Sequence, residues 1–439
     1  MGTQPLWAPL NTAAHARSPA AIVRRAAALE GGCLAAVCKA GGDLEWAMRI
    51  AFYAPLKSPT HEVPSGDRRV ARLLMDALQV AGHAVQLASS FRSFDGAGDA
   101  AHQAALRDEG ASIADGLVQR WLGLPPADRP ELWFTYHLYY KAPDWLGPAV
   151  SHALGIPYVV SEASYAPKRA NGAWAIGHLA TYHAIRAAAL LLCPTGDDVA
   201  CLQLVAPAHT RVLRLFPFLD PAAYQVAALD RAVHRARLSA IHGIKASDTW
   251  IVVAAMMRYG DKLASYELLA KSLPFLVDLP WQLVVAGDGP ARAQVEALIQ
   301  GAAPGRAHFL GVCDAQALAA IYAASDLCLW PAVNEAYGMA MLEAQAAGVP
   351  VVSCAARGVP DVVCDGRTGL LAKTGDAPGL ARLTRELVVG RQRRVAMGQA
   401  AAQFVRQERS TVHAAAALNL AFAGLSCGGA QTARGVGLK

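Results

Sequence analysis

The stretch LCLWPAVNEAYGMAMLEA, residues 327–344, decides the fold class of this chain. It opens with four apolar residues of the kind found in buried strands, and it ends in a segment with the spacing of a helix. Glu335 stands in the loop between them, and Gly338 stands where the helix begins. A buried strand that passes through a short loop into a helix is the repeating unit of a parallel sheet covered by helices.

The same unit recurs along the chain from Met48 onward. The alternation predicts an α/β protein with two Rossmann-like, doubly wound domains that face a cleft. Because open parallel sheets bind ligands at the carboxyl ends of their strands, we expect the functional site there. The predicted strands are residues 49–54, 84–88, 132–135, 158–161, 190–193 and 211–215, followed by 250–255, 282–286, 307–310, 327–330, 349–353 and 370–372.

The length of 439 residues exceeds the usual size of one core, so two domains are expected. Residues 1–47 lack a strand pattern and are predicted to form a poorly ordered N-terminal appendage. Two Rossmann-like domains are predicted at 48–218 and 219–410, with a charged helical segment at 221–242. A C-terminal helix and tail at 411–439 is predicted to pack back on the N-terminal domain.

The composition narrows the class of protein. A hydrophobic fraction of 54% and a charged fraction of 17% exclude a disordered chain. The net charge of +6 is spread along the chain, which argues against a nucleic-acid partner. The apolar runs fall short of the roughly 20 residues of a membrane-spanning helix. Nine cysteines without a C-x-x-C pair indicate reduced thiols in a cytoplasm, and peripheral contact with the inner membrane face is left open.

Residues 331–344 also carry candidate chemistry. Free backbone N–H groups at Tyr337, Gly338 and Met339 are expected at a helix N-terminus, which is a ready site for an anion. Glu343 follows inside the helix, where its carboxylate can accept hydrogen bonds from ribose hydroxyls, and Glu335 can meet the hydroxyls of a sugar. The alternative is that Glu335 caps the helix and Glu343 is a solvated helix position.

The two glutamates form an E-x7-E motif, and the chain resembles the retaining glycosyltransferases of family 4, which have the GT-B fold. The resemblance covers about residues 48–404 and is strongest from 250 to 372. It implies an enzyme that moves a sugar from a nucleoside-diphosphate sugar to an acceptor hydroxyl, in glycan or cell-envelope polysaccharide synthesis. It assigns the donor sugar to Glu335, the ribose to Glu343 and the diphosphate to the backbone at Tyr337, Gly338 and Met339. The acceptor domain is then 48–218, and the donor domain is 219–410.

A second match to this family is AAMMRYGDK, residues 254–262, where two cations follow a predicted strand. The resemblance implies that Arg258 and Lys262 neutralise the donor diphosphate, which gathers negative charge as the glycosidic bond breaks. The step between them is four residues where the family often has five. The alternative is that both are solvated surface cations.

Two further turns match the same family. In LVVAGDGP, residues 283–290, Gly287 and Gly289 line the nucleotide cleft of the family, or they serve as a tight connection between a strand and a helix. In FLGV, residues 309–312, the resemblance implies that backbone at Val312 reads the base. The base itself is not specified by these residues.

The N-terminal half contributes weaker candidates. Ser65 and Gly66 precede a helix where the family has two glycines, and they leave its N-terminus open to a phosphate or an acceptor. His137 follows a predicted strand, where the family has a histidine that reaches the donor sugar, and the alternative is a packed core residue. Glu162 follows the next strand and either orients an acceptor or caps a helix. Aromatic rings that can stack on a sugar crowd this region: Tyr136, Tyr139, Tyr140 and Trp145.

The chain contains no Asp-x-Asp triplet. Metal-independent catalysis is therefore expected, with the nucleotide sugar as donor substrate and no cofactor. The acceptor is a glycan, a lipid-linked sugar or a small molecule. A nucleotide-sugar epimerase, a sugar phosphorylase and a non-catalytic scaffold that binds nucleotide sugars are the alternatives. A nicotinamide dehydrogenase is set aside because no G-x-G-x-x-G follows the first strand of either half.

Overall fold

The structure is a computed structural model that describes residues 47–63 and 65–426. These residues divide into two compact units. Unit 1 contains the chain up to Leu215 and from Thr411 onward, and unit 2 is Phe216–Ser410. The predicted appendage, apart from Ala47, and the tail from 427 to 439 lie outside the described residues.

The described part of unit 1 contains a parallel sheet of six strands in the order β2-β1-β3-β4-β5-β6. The central strands are almost wholly apolar and buried, so their side chains form the core against helices. The strands are β1 (Arg49–Tyr53), β2 (Ala84–Ser89), β3 (Leu132–Leu138), β4 (Tyr158–Ala163), β5 (Leu190–Cys193) and β6 (Arg211–Arg214). The helices among them are α1 (Gly66–Val80), α2 (Ala100–Leu122), α3 (Gly147–Leu154), α4 (Ala175–Ala187) and α5 (Gly196–Gln203).

Unit 2 is built in the same way, with six parallel strands in the order β12-β11-β10-β7-β8-β9. Its strands are β7 (Thr249–Ala254), β8 (Trp281–Ala286), β9 (Ala307–Gly311), β10 (Leu327–Trp330), β11 (Val351–Cys354) and β12 (Gly369–Ala372). Its helices are α6 (Ala222–Leu229), α7 (Arg231–His242), α8 (Asp261–Ser272), α9 (Arg292–Ala302), α10 (Ala315–Ala324), α11 (Met339–Ala346), α12 (Ala377–Val389) and α13 (Arg391–Glu408).

The last described helix is α14 (Thr411–Ser426), which belongs to unit 1. It packs against α1, and the Asn419 side-chain amide donates to the Ala81 carbonyl at 3.0 Å. The Arg211 guanidinium of β6 donates to the Ala421 carbonyl at 2.7 Å. The chain therefore returns to the first unit after completing the second.

All twelve strands predicted from the sequence are found in the described residues, and the α/β fold class of both units is confirmed. Several boundaries differ. β3 and β4 continue beyond their predicted ends, to Leu138 and Ala163. The charged segment at 221–242 is two helices, because Asp230 leaves the helical conformation between them. None of the described helices is long and apolar enough to cross a membrane.

Candidate functional site

The strand order of unit 2 marks where a ligand site is expected. The chain begins the sheet at β7 and adds β8 and β9 on one side, then β10, β11 and β12 on the other. The topological switch point therefore lies between β7 and β10, where the loops at the carboxyl ends diverge and leave a crevice. The predicted residues Arg258 and Lys262 follow β7, and Glu335 follows β10.

Lys262 and Glu335 meet across this switch point. The Lys262 ammonium forms an ion pair with the Glu335 carboxylate, and it lies 5.5 Å from the centre of the Trp330 ring. The Trp330 indole N–H points at the same carboxylate oxygen, 3.4 Å away. The N-cap residue of helix α11 is Gly338, and no side chain caps the helix, so the interpretation of Glu335 as a capping acid is wrong.

The loop that carries Glu335 is held to helix α8 by polar contacts. The Ser265 hydroxyl accepts from the Val333 N–H at 3.0 Å, and the Asn334 amide donates to Asp261 at 2.9 Å. Ala332 and Asn334 both have left-handed backbone, with φ of 57° and 52°. Such conformations are costly for non-glycine residues and persist where surrounding contacts hold them, which is common at functional sites. The contacts thus fix the position of the Glu335 carboxylate.

The other predicted cation, Arg258, differs from Lys262 in its surroundings. Its side chain is exposed, and its guanidinium makes no hydrogen bond or ion pair with any residue that the structure describes. Val312 in the loop after β9 is also exposed, at 82%. Both residues are therefore accessible to a ligand at the carboxyl ends of the strands.

Glu343 is buried in helix α11, with 3% of its surface exposed. Its charge is felt by the Cys328 thiol of β10. Burial and, to a smaller extent, the Glu343 charge raise the pKa of that thiol to about 12. The interpretation of Glu343 as a solvated helix position is therefore wrong. Tyr337 is half-buried, Gly338 has a left-handed φ of 74°, and Met339 is the first residue of the helix.

The Gly287 and Gly289 turn packs directly on the loop after β7. A Cβ atom at Gly287 would lie 2.0 Å from the Ala255 carbonyl oxygen, and one at Gly289 would lie 2.4 Å from the Met257 carbonyl oxygen. The Met257 N–H donates to the Asp288 carbonyl at 2.9 Å. The glycines are thus required for the close approach of two backbones, and their contact with a ligand stays a prediction.

Unit 1 has its own switch point, between β1 and β3. His137 of β3 lies there beside Asp67 of helix α1, with 3.1 Å between the imidazole Nδ1 and the carboxylate. Glu162 of β4 lies 3.8 Å from the same nitrogen. His137 and Glu162 have left-handed φ angles of 63° and 61° although both lie inside strands. The three side chains form a charged cluster that we call the His137 cluster.

The structure corrects several sequence interpretations of this cluster. His137 and Glu162 lie within their strands and do not follow them. Ser65 is the N-cap of α1, where its hydroxyl accepts from the Arg68 N–H at 3.2 Å. A Cβ atom at Gly66 would meet nothing within 4 Å. The sequence interpretation did not include Asp67 among the site residues. Its position directly after the candidates Ser65 and Gly66 could have indicated that it belongs to the site.

Each ionised group of the His137 cluster favours the ionised form of its neighbour. Burial lowers the pKa of His137, but the carboxylates of Glu162 and Asp67 outweigh it and raise the pKa above the ordinary 6.5. The hydrogen bond from His137 lowers the pKa of Asp67 below the ordinary 3.8. His137 is therefore a cation over a wider pH range than a free histidine, and Asp67 is an anion over a wider range than a free aspartate.

This pairing predicts a pH-dependent stability. The contribution of Asp67 is lost as pH falls through its lowered pKa, and that of His137 is lost as pH rises through its raised pKa. Both are present between the ordinary values of 3.8 and 6.5. We expect Asp67→Asn to cost about 0.5 kcal/mol in that window, a small value because Asp67 is partly exposed. Thermal unfolding from pH 4 to 9 measures this loss, with Asp115→Asn on the exposed face of α2 as the control. An equal loss at all pH values would contradict the pairing.

The aromatic residues near His137 divide into two groups. Tyr136 is buried, and Trp145 packs close to Gly110 of α2, so these two serve the core. The Tyr139 ring lies 5.1 Å from the His137 ring. The Tyr140 ring lies 5.8 Å from Trp174. The partly exposed rings of Tyr139 and Tyr140 are therefore the ones placed to meet a ligand.

The two units have the architecture of solved GT-B glycosyltransferases. Sucrose-phosphate synthase from Thermosynechococcus elongatus superposes with a TM-score of 0.63 over 87% of this chain and 99% of that chain, at 20% identity. Anabaena HepE in complex with UDP-glucose gives a TM-score of 0.61 over 87% of this chain and 100% of that chain, at 17% identity. The chain therefore has the GT-B fold, as predicted.

Residues 249–389 match the family model described as glycosyl transferases group 1. A D-inositol 3-phosphate glycosyltransferase of Corynebacterium aurimucosum is 41% identical over 99 residues, which are 23% of this chain and 24% of that relative. A sulfoquinovosyl transferase of Arabidopsis thaliana is 32% identical over 140 residues, 31% of this chain and 26% of that relative. The chain thus spans about a quarter of the length of these curated relatives. The match to the glycosyl transferases group 1 model lies within unit 2, and the narrower assignment to family 4 stays a prediction.

Proposed function

We propose that the chain is a glycosyltransferase that moves a sugar from a nucleoside-diphosphate sugar to an acceptor hydroxyl. The observation that carries the proposal is the ion pair of Lys262 and Glu335 at the switch point of unit 2. Beside it, Arg258 has no partner among the described residues and is free to bind an anion. A pair that joins the start of helix α8 to the loop after β10, four residues from an unpaired cation in sequence, suits a substrate with both a sugar and a diphosphate.

Each group has a role in this reaction. Arg258, Lys262 and the N-terminus of α11 stabilise the diphosphate as the bond between the anomeric carbon and the phosphate oxygen breaks. Glu335 accepts hydrogen bonds from the donor sugar, and Glu343 accepts them from the ribose. The backbone at Tyr337, Gly338 and Met339 meets the phosphates. The turns at Gly287, Gly289 and Val312 border the nucleotide.

The acceptor is assigned to unit 1, at Glu162 and the loop of Ser65 and Gly66, and His137 beside them is assigned to the donor sugar. His137 is held as a cation by Asp67 and Glu162, so it donates hydrogen bonds to sugar hydroxyls and is unsuited to remove a proton. The departing phosphate then takes the acceptor proton, attack occurs on the face from which it leaves, and configuration is retained. This route needs no metal, and the negative first turn at Asp67 favours a neutral hydroxyl over a phosphate.

The setting proposed for this activity is glycan or cell-envelope polysaccharide synthesis in the cytoplasm, with peripheral contact at the inner membrane face. The acceptor is then a glycan or a lipid-linked sugar. The match of residues 249–389 to the family model of glycosyl transferases group 1 supports the reaction class. No observation in the described site favours an epimerase, a phosphorylase or a scaffold.

Binding of UDP to wild type and to Glu343→Gln tests the donor site. UDP and UDP-glucose are the first ligands to try because the HepE structures contain them. We expect UDP to raise the thermal midpoint of the wild type, and we expect Glu343→Gln to weaken UDP binding about tenfold through loss of a charged hydrogen-bond acceptor for the ribose. GDP and ADP are tested in the same way, because the sequence and the structure do not specify the base of the nucleotide.

The matched control is Glu109→Gln, which removes a carboxylate from the exposed face of α2 in unit 1. This variant should bind the nucleotide like the wild type. Slow hydrolysis of the donor by the wild type, without added metal and in the presence of a chelator, would add support. Absence of any response to all three nucleotides would contradict the proposal.

A further inference from the structure

A cavity of about 390 Å³ lies in unit 1, beside helix α4. Its volume is within the range of small-molecule sites. Two aromatic rings and several aliphatic side chains form its wall. The lining residues are Tyr165, Ala170, Ala175, Ile176, His178, Leu179 and Tyr182.

The wall of the cavity is apolar and partly open. The Tyr165 ring centre lies 5.3 Å from His178 and 6.0 Å from Tyr182, so the rings border one space. Leu179 at the rim is 55% exposed, so part of its apolar surface is open to a ligand in the cavity. Residues 163–196 contain no Asp or Glu, so no carboxylate of this segment faces the space.

His178 supplies a second, independent sign of a ligand. The residue is 6% exposed, and its Nε2 has no hydrogen-bond partner in the part of the chain that the structure describes. Burial lowers its pKa, so the imidazole is neutral. An unpartnered buried nitrogen is costly, and a polar group on a bound molecule can relieve the cost.

The cavity lies close to the His137 cluster along the chain. Tyr165 follows Glu162 by three residues, which span at most about 11 Å of extended chain. A molecule that fills the cavity can therefore present a hydroxyl near Glu162 and His137. The position connects an apolar binding space with Glu162, the charged residue assigned to the acceptor.

We infer that the cavity binds an apolar group, an alkyl chain or an aromatic ring, carried by the hydroxyl-bearing acceptor. The inference rests on the proposed function and specifies the class of acceptor. Such a group buries its surface against Tyr165, Tyr182 and Leu179, which is favourable by the hydrophobic effect. A free polar sugar could partner His178 but lacks an apolar group to cover the rest of this wall.

The test compares two acceptor probes that share a sugar and differ in the apolar group. Octyl β-D-glucoside, kept below its micelle-forming concentration, should bind the wild type at least about tenfold more tightly than methyl β-D-glucoside in calorimetric titrations. Ala170→Trp, which fills the cavity, and Leu179→Asp, which places a charge at its rim, should reduce that ratio to near one. Ala187→Trp, the same enlargement at the exposed end of α4, should leave it unchanged.

A ratio near one in the wild type, or an equal ratio in all four proteins, would overturn the inference. UDP binding is measured on the same samples, because it tests the proposed function independently of the cavity. If UDP does not bind, the proposed function fails, and the ratio of octyl to methyl glucoside affinities still shows whether the cavity binds an apolar group. Flotation with phosphatidylcholine vesicles separates the sources of the apolar group. Flotation that Ala170→Trp abolishes indicates a lipid, and octyl binding without flotation indicates a soluble acceptor.

Discussion

Replacing Lys262 by alanine is expected to lower the rate of glycosyl transfer about a hundredfold or more, the usual effect of removing a charge-stabilising donor from an active site. The change has two consequences. The leaving diphosphate loses a cation, and the Glu335 carboxylate loses the ammonium with which it is paired. In the proposed complex, the unpaired Glu335 carboxylate would then repel a diphosphate bound nearby. Initial rates of UDP release from UDP-glucose, with chemical identification of the product, measure the effect.

Helix α8 supplies the control for this experiment. Lys271 lies in its last turn and is exposed, so Lys271→Ala removes the same charge from the same helix away from the switch point. We expect this variant to keep wild-type rates, and both variants to keep their thermal midpoints within a few degrees. Equal rates in Lys262→Ala and Lys271→Ala would remove Lys262 from the reaction.

The fold was largely predictable because most strands are continuous apolar runs. β5 and β10 are wholly buried, and their predicted and observed ends coincide. β3 and β4 were predicted too short because His137 and Glu162 are polar residues near their ends. Both have left-handed backbone held by surrounding contacts, and such a local conformation leaves no mark in hydrophobic periodicity.

The sequence predicted which residues lie at the strand ends of the site, but it did not predict which of them contact one another. Lys262 and Glu335 are 73 residues apart, and they meet because the sheet places β10 beside β7. Strand order is a property of the whole sheet that no local pattern reports. The burial of Glu343 depends in the same way on β10 beneath its helix.

Two features of unit 1 were missed for a related reason. Asp67 is 70 residues from His137, and only the adjacency of β1 and β3 brings them together. The cavity beside α4 is lined mainly by apolar residues of that helix and of the segment before it, and the sequence does not distinguish them from residues packed in a core. Whether such residues fill a core or border an open space depends on what packs against them.

Replacing Gly287 by alanine is expected to lower the free energy of unfolding by about 3 kcal/mol or more. The new Cβ would lie 2.0 Å from the Ala255 carbonyl oxygen, a distance at which backbone must move. The backbone at Gly287 also has a φ of 145°, a value that residues with a Cβ atom rarely adopt. Because this turn packs on the loop that leads to Arg258 and Lys262, the variant should lose nucleotide binding as well as stability.

Gly301 provides the matched substitution in the same unit. It lies near the end of α9, and a Cβ there would meet nothing within 4 Å. Gly301→Ala should leave stability unchanged or raise it by up to about 1 kcal/mol, since alanine is the better helix former. Chemical denaturation of the full chain, followed by tryptophan fluorescence, compares the two. If Gly287→Ala is as stable as Gly301→Ala, the turn can relax away from Ala255, and the glycine would then be explained better by contact with a nucleotide than by the approach of two backbones.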